Sequence, residues 1–175
     1  MKIAVMGGGW LGLPLAVSLQ KSGHQVVATR RSKVGLDELS QYGLTAIPFE
    51  LGEDLQQTKF TPIFSSDLLF LNIPVDRKSL AAEDFLINIE ALLKRASDSN
   101  IQHVIFISTT SIFGDESRTI TEYSSTAPTT QSGQTNLAIE QLVAKYFTGN
   151  GAGLRLAGLI GGARHPAKFL AGKTN

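Results

Sequence analysis

The sequence predicts a doubly wound parallel sheet of about six strands in the order 3-2-1-4-5-6, with helices on both faces. Two observations support this fold class. Short apolar segments alternate with amphipathic segments along the chain, and a glycine-rich loop directly follows the first apolar segment. Strands that are apolar on both faces are typical of a parallel sheet covered by helices on both sides. Right-handed crossovers leave few arrangements of such units, and this one places a ligand crevice at the carboxyl ends of strands one and four.

The strands are predicted as short apolar segments, most of them rich in branched residues. They are Lys2–Met6, Gln25–Thr29, Leu44–Pro48, Leu68–Ile73, His103–Ser108 and a segment near Gly153–Leu159. Caps and apolar stripes predict the helices, which are about Trp10–Ser22, roughly Val34–Tyr42, the stripe from Phe85 to Ala96, and two rows between Ala138 and Phe147. Ser32 is suited to cap the second helix, and Gly23 and Gly43 are suited to end the first and the second.

The composition predicts one compact domain over residues 1–175 and excludes several classes of function. Hydrophobic residues make up 42% and charged residues 18%, which suits a packed core. The 16 basic and 15 acidic residues form no basic run, so nucleic acid is not an expected partner. The absence of cysteine excludes a disulfide framework, thiolate catalysis and a cysteine zinc site, and it is compatible with a reducing cytoplasm, the expected location. No stretch approaches the ~18 unbroken apolar residues of a membrane span.

The segment GGGWLG, after the first predicted strand, places Gly7, Gly9 and Gly12 in the spacing G-x-G-x-x-G. This motif indicates a dinucleotide site when it leaves a strand and opens a helix, as it does here. Gly7 permits the tight turn, Gly9 lets a pyrophosphate approach the backbone, and Gly12 lets the helix pack closely on the strand. The backbone N–H groups near Trp10 and Leu11 are then expected to face the phosphates. The alternative is a glycine-rich turn without a ligand.

The segment VVATRRSK, at the end of the second predicted strand, bears on which dinucleotide is bound. In this fold that strand ends beside the adenosine ribose, where NAD-specific proteins usually place an Asp or Glu for the 2′-hydroxyl. The chain has Thr29, Arg30 and Arg31 there, and the nearest acid downstream is Asp37. Because a guanidinium can hold a 2′-phosphate through two hydrogen bonds, NADP is the predicted cofactor, with NAD as the alternative and Arg30 as the main contact. A simpler interpretation is that both arginines are only solvated.

Two further cofactor contacts are predicted at the end of the fourth strand. Asn72 and Pro74 lie there in the sequence. Because that end of the strand borders the predicted crevice, both residues are expected to contact the cofactor.

Two long segments carry a family resemblance. FISTTSIFGDESRTITEYSSTAPTTQSG, with the LAIEQLV that follows, and then LRLAGLIGGARHP resemble the extended short-chain dehydrogenase/reductases, and more closely their atypical branch. Together with the glycine loop, the resemblance covers essentially the whole chain. It implies a Rossmann-type dinucleotide-binding domain and a NAD(P)-dependent epimerase, dehydratase or reductase that acts on a small molecule, often a nucleotide sugar.

The resemblance also implies a catalytic hydroxyl, five residues before the glycine that ends the family's S-S-x-x-V-Y-G-like motif. That glycine matches Gly114, so the hydroxyl is Thr109, although neighbouring hydroxyls leave the local choice open: Ser108, Thr110 and Ser111. Alternatively, Thr109 only ends a strand, with its hydroxyl satisfied by the backbone.

The family's Tyr-x-x-x-Lys pair is absent from this chain. Its positions match Ser132 and Asn136, which share one face of the predicted helix. Ser132 is the matching catalytic candidate, but its hydroxyl is far less acidic than that of a tyrosine, whose pKa is ~10. Asn136 carries no charge that would assist it. No metal site is predicted.

Four other side chains are candidates for a direct role. Tyr123, His165 and Lys168 are candidate substitutes for the missing pair, and Arg164 and His165 are candidates to meet an anionic substrate. Simpler interpretations are packing in a loop for Tyr123, a solvated turn for His165 and surface charge for Lys168.

Three interpretations of function stay open. The first is an NADP-dependent oxidoreductase of the epimerase/dehydratase type, and the second is a non-catalytic NADP(H)-binding or redox-sensing module. The third is a nucleotide-sugar dehydrogenase of the 6-phosphogluconate dehydrogenase type, which only the first strand–helix–strand unit resembles and which needs a later catalytic domain. Relatives usually continue well beyond this length, so the chain is expected to be a fragment or a minimal form without most of the substrate subdomain. The sequence does not predict the oligomeric state, and it is compatible with a homo-oligomer.

Overall fold

A computed structural model of the chain describes residues 1–75, 82–115, 117–161, 164–165, 167 and 171–172. Its strands form one sheet, and all five neighbouring pairs of strands are parallel. The strands are β1 (Lys2–Met6), β2 (Gln25–Arg30), β3 (Thr45–Pro48), β4 (Leu68–Leu71), β5 (His103–Thr109) and β6 (Gly151–Leu156). The observed order β3-β2-β1-β4-β5-β6 confirms the predicted doubly wound sheet.

The helices are α1 (Gly12–Lys21), α2 (Lys33–Gln41), α3 (Thr61–Phe64), α4 (Ala82–Ser97) and α5 (Gln131–Tyr146), with 3-10 turns at Thr58–Phe60 and Thr110–Phe113. Ser32 caps α2 as predicted, because its hydroxyl accepts the Gly35 N–H at 3.2 Å. Gly23 and Gly43 follow α1 and α2 with φ of 86° and 72°, which are left-handed values that suit glycine. Within the described residues, no helix is long and apolar enough to cross a bilayer.

The sheet separates two apolar clusters because successive strand residues point to opposite faces. In β1, Ala4 and Met6 belong to the cluster that includes buried residues of α4 and α5. Ile3 and Val5 belong to the other cluster, with Ala16 of α1 among its buried members. Helices on both faces leave the strand ends as the place where polar side chains and a ligand can meet.

The last strand differs most from its prediction, because β6 begins at Gly151 and ends at Leu156 rather than near Leu159. It follows α5 closely: a Cβ added at Gly151 would lie 2.6 Å from Val143 Cγ1. β6 pairs only with β5 at the edge of the sheet, so much of its surface is exposed. An edge strand of this kind lacks the two-sided apolar pattern from which the inner strands were predicted.

Candidate functional site

A cavity of about 520 Å³ opens at the carboxyl ends of the central strands. Of the ten residues predicted to contact a cofactor, all except Gly12 line it: Gly7, Gly9, Trp10, Leu11, Thr29, Arg30, Arg31, Asn72 and Pro74. The cavity lies where β1 and β4 adjoin and their connections diverge to opposite sides, which is the usual ligand position in a doubly wound sheet.

The glycine loop is held tightly by the ends of β2 and β4. Gly7 has φ 101°, and its N–H donates to Thr29 Oγ1 at 3.0 Å. Its carbonyl oxygen accepts the Asn72 side-chain amide at 2.8 Å. A Cβ added at Gly7 would lie 2.1 Å from the Asn72 carbonyl oxygen. Thr29 and Asn72 therefore fix the path of the loop, in addition to lining the cavity.

Gly9 and Gly12 occupy different surroundings within the same loop. A Cβ added at Gly12 would lie 2.1 Å from the Gly7 carbonyl oxygen, so α1 starts in direct contact with the loop. A Cβ added at Gly9 would meet only Arg30 Nη1, at 3.6 Å, which leaves open space beside the backbone. This is the room that a pyrophosphate needs to approach, and the chain at this point fits a dinucleotide.

The start of α1 faces the same cavity. Leu11 occupies the cap position, and no side chain caps the helix there. The first N–H groups of a helix have no acceptor within the helix, and they carry the positive end of its dipole. The backbone at Trp10 and Leu11 is therefore suited to bind a negatively charged group in the cavity.

Arg30 has a partner that sequence reasoning missed. Its Nη2 atom lies 2.5 Å from Glu38 Oε2, across the first turns of α2. Asp37, the nearest acid along the sequence, instead pairs with Lys33 at 2.9 Å. The available signal was that α2 begins directly after β2, so its inner face returns toward the end of that strand. Arg31 is exposed and lines the cavity.

Thr109 and Ser132 lie on neighbouring elements, but neither lines the cavity. The Thr109 hydroxyl accepts the Ser111 N–H at 3.2 Å at the start of the 3-10 turn. A Cβ added at Gly133 would lie 2.7 Å from the Ser111 carbonyl oxygen, so the start of α5 packs directly on that turn. Asn136 is buried, and its amide donates to the Ser132 carbonyl oxygen at 2.8 Å.

The other candidates differ in how they are placed. The Arg164 guanidinium lies 4.4 Å from the centre of the Trp10 ring, and Arg164 lines the cavity. Tyr123 is 90% exposed, which contradicts a packing role in its loop. His165 is exposed, and its Nδ1 accepts the Ala167 N–H at 3.2 Å. Lys168 lies outside the described residues.

Arg155 ties the loop after β5 to the core, and sequence reasoning missed this contact. Its guanidinium makes three hydrogen bonds with the Glu140 carboxylate, at 2.8–3.2 Å, and Nη1 donates to the Glu122 carbonyl oxygen at 3.0 Å. It also lies 5.1 Å from the centre of the Phe113 ring. One side chain of β6 thus joins α5, the 3-10 turn and the loop.

Nowhere in the described part of the chain do three or more acidic or histidine side chains form a cluster that could hold a metal ion.

The chain matches one protein-family model over nearly its whole length. The model describes the NAD dependent epimerase/dehydratase family and matches residues 3–174. Protein YeeZ of Escherichia coli strain K12 is 32% identical over 175 residues, which are 99% of this chain and 64% of that protein. The chain thus spans 64% of the length of the curated relatives it matches.

Solved structures with the same fold include an epimerase in complex with NAD and a complex with both a nucleotide sugar and NAD. UDP-glucuronic acid 4-epimerase from Bacillus cereus, in complex with NAD, has a TM-score of 0.77 at 20% identity over 95% of this chain and 60% of that chain. MoeE5 in complex with UDP-glucose and NAD has a TM-score of 0.77 at 22% identity over 98% and 59%. A functionally unknown conserved protein from Silicibacter pomeroyi DSS has a TM-score of 0.73 at 20% identity over 98% and 57%. At these identities the likeness concerns the fold.

Proposed function

The chain belongs to the NAD dependent epimerase/dehydratase family, and from that membership we propose that residues 1–175 form a domain that binds NADP(H). We further propose that the protein is an oxidoreductase of the epimerase/dehydratase type, acting on a nucleotide sugar or a similar small molecule. The observation that carries the proposal is the open space beside Gly9, bordered by the uncapped start of α1. A bound nicotinamide cofactor supplies a hydride acceptor or donor, and the chain binds and orients that cofactor.

The cofactor would be held by the glycine loop and by residues at the ends of β2 and β4. The backbone at Gly9, Trp10 and Leu11 would hold the pyrophosphate, because helix N–H groups and their dipole favour negative charge. Thr29 and Asn72 would act mainly by fixing the glycine loop, since both already bond to Gly7. Pro74 would border the cofactor after the end of β4.

NADP is the proposed form of the cofactor because two arginines, Arg30 and Arg31, line the cavity at the end of β2. Guanidinium groups bind phosphate through charge-assisted hydrogen bonds, whereas an NAD-specific protein usually offers an acid to the ribose there. Charge-assisted bonds of ~1.5–3 kcal/mol each correspond to a preference of about tenfold to a few hundredfold.

The substrate class is proposed by analogy with proteins of the same fold. One neighbour is a UDP-glucuronic acid 4-epimerase, and another holds UDP-glucose and NAD together. Both are longer than this chain, which covers 60% and 59% of them. A substrate of this kind would lie on the β5 and β6 side of the cavity, toward Ile107, Leu159 and Arg164.

A second candidate function is a non-catalytic NADP(H)-binding or redox-sensing module. The observation that favours it is the environment of Asn136, which takes the position of the family's lysine. An amide carries no positive charge, and this one is buried and bonded to the Ser132 carbonyl oxygen. Without that charge, neither side chain is equipped to pass a proton to a substrate oxygen.

The cofactor proposal is tested by titration calorimetry of the wild type and of Arg30→Ala with NADPH and with NADH. We expect both cofactors to bind the wild type, NADPH more tightly, and the substitution to remove most of that difference. Equal affinities in the wild type would contradict the NADP preference. Absence of binding by either cofactor would contradict the dinucleotide site itself.

A further inference from the structure

We propose that Glu38 is a specificity-determining residue, which limits the preference for NADP and lets the protein use NAD as well. The inference deepens the proposed function and rests on it. Glu38 would act on a ligand in the cavity through Arg30, because its Oε2 atom lies 2.5 Å from Arg30 Nη2. Arg30 itself lines the cavity, and Glu38 does not.

The three nitrogen atoms of the Arg30 guanidinium have different surroundings. Nη2 faces Glu38, and Nε is buried without a hydrogen-bond partner among the described residues. Nη1 is the atom nearest the glycine loop, 3.6 Å from a Cβ added at Gly9. A bidentate grip on a 2′-phosphate requires two adjacent N–H groups, so Nη2 or Nε must take part.

Gly35 allows Arg30 to stay in this position. A Cβ added there would lie 2.9 Å from Arg30 Nε and 3.1 Å from Arg30 Cδ, so any larger residue would displace the side chain. The capping bond from the Gly35 N–H to Ser32 fixes this turn of α2. Arg30 is consequently packed on the helix with its charge directed to Glu38, and it is not a freely solvated arginine.

The charge on Glu38 opposes one cofactor more than the other. A 2′-phosphate brings roughly −1.5 to −2 charges to the end of β2, whereas the 2′-hydroxyl of NAD brings none. Because Nη2 is held by Glu38, Arg30 must leave Glu38 to bind the phosphate through two N–H groups. This competition weakens NADP binding and leaves NAD binding nearly unchanged. The side chains of Arg30 and Glu38 are 28% and 44% exposed, so solvent screens the effect to a moderate size.

The test measures the affinities for NADPH and NADH of the wild type, Glu38→Gln and the control Asp37→Asn. Asp37 neighbours Glu38 on α2 and pairs with the exposed Lys33, so its substitution removes the same charge without touching Arg30. We expect Glu38→Gln to tighten NADPH about tenfold and to change NADH by less than about twofold. Asp37→Asn is expected to change either affinity by less than about twofold.

A double substitution separates this effect from a general change of charge. In an Arg30→Ala background, Glu38→Gln is expected to leave the NADPH affinity nearly unchanged, because the carboxylate no longer has a guanidinium to hold. Equal tightening in that background would overturn the proposal. Weaker NADPH binding by Glu38→Gln alone would also overturn it, since Glu38 would then orient Arg30 for the phosphate. If the wild type binds both cofactors and Glu38→Gln changes neither, only this inference fails, whereas binding of neither cofactor removes the proposed function too.

Discussion

The three glycines at the motif positions G-x-G-x-x-G have different roles: one adopts a backbone conformation that suits glycine, one allows close packing and one leaves access for a ligand. Gly7 has a left-handed backbone, Gly12 abuts the Gly7 carbonyl, and Gly9 borders open space. Among these three glycines, only Gly9 can accept a methyl group without a clash, because its added Cβ meets a single atom at 3.6 Å. The sequence motif alone assigns these roles by position, and the structure gives each of them a distance.

Gly9→Ala is expected to weaken NADPH at least about tenfold while leaving the melting temperature nearly unchanged, because the methyl group occupies the space proposed for the pyrophosphate. Calorimetry and thermal unfolding measure the two effects. Gly158→Ala is the matched control, since nothing lies within 4 Å of a Cβ added there. Gly12→Ala, by contrast, is expected to destabilise the fold by about 1–3 kcal/mol. Undiminished NADPH binding by Gly9→Ala would contradict the assignment of this loop.

Residues predicted for the cofactor came from rules that depend on position in the chain, which explains their presence at the cavity. Gly9, Arg31 and Asn72 each lie within three residues of the end of a parallel strand, and such ends meet at one edge of the sheet. The contacts of Arg30 with Glu38 and of Arg164 with Trp10 join separate elements. Such contacts depend on helix rotation and side-chain conformers, which the sequence pattern does not specify.

At the scale of elements, the sequence predicts the ends of the inner strands to within two residues, because burial on both faces gives a continuous apolar run. Two features were missed. The short α3 and its preceding 3-10 turn have too few residues to show a period, and the polar start of α5 hides its capping residue. That cap is Thr130, whose hydroxyl accepts the Gly133 N–H at 3.1 Å.

The ion pair of Arg155 with Glu140 is expected to stabilise the edge of the sheet. Its side chains are 27% and 11% exposed, and the guanidinium also binds the loop at Glu122. Arg155→Ala is expected to lower the free energy of unfolding by about 1–3 kcal/mol, because it leaves the Glu140 carboxylate without its partner. Asp37→Asn, in the exposed pair with Lys33, is the comparison and is expected to cost less than about 0.5 kcal/mol. Denaturant unfolding measures both, and equal costs would contradict this ranking.

A carboxylate between α4 and α5 makes stability depend on pH. The hydrogen bond from Lys145 Nζ, at 2.7 Å, and a second from the Tyr146 hydroxyl hold the pKa of Glu90 below its ordinary value of 4.5. The same bond raises the pKa of Lys145. Because the pKa of Glu90 is lower in the folded state, its stabilising effect is present above the ordinary value and is lost as the pH falls through the folded pKa.

Unfolding free energies of the wild type and Glu90→Gln test this dependence when they are measured from neutral pH down to about pH 3. The wild type is expected to lose more stability than Glu90→Gln as the pH falls, so the two curves converge at the acidic end. Parallel curves over the whole range would mean that the bond between α4 and α5 has no net effect on folding.

At the scale of the whole molecule, the cavity lies at the strand ends of one parallel sheet, and the chain spans 64% of the length of the curated relatives it matches. If the second candidate function holds, purified protein of these 175 residues is expected to show little hydride transfer to ordinary ketones or nucleotide sugars. A positioned general acid contributes ~10²–10⁴-fold, and the pair Ser132 and Asn136 lacks both the acidity and the charge for that role. Spectrophotometric assay of NADPH oxidation measures this. Robust turnover that Ser132→Ala abolishes would show that Ser132 is catalytic after all.

The contact between Arg164 and Trp10 has a consequence for how the molecule can be observed. The chain contains one tryptophan, and it lies in the glycine loop beneath the Arg164 guanidinium. Within these 175 residues, all indole fluorescence therefore originates at Trp10, beside the cavity. A ligand that draws the guanidinium off the ring must change the emission at the moment it arrives. The protein thus carries its own optical reporter, and rapid mixing can time each ligand's entry without an attached dye.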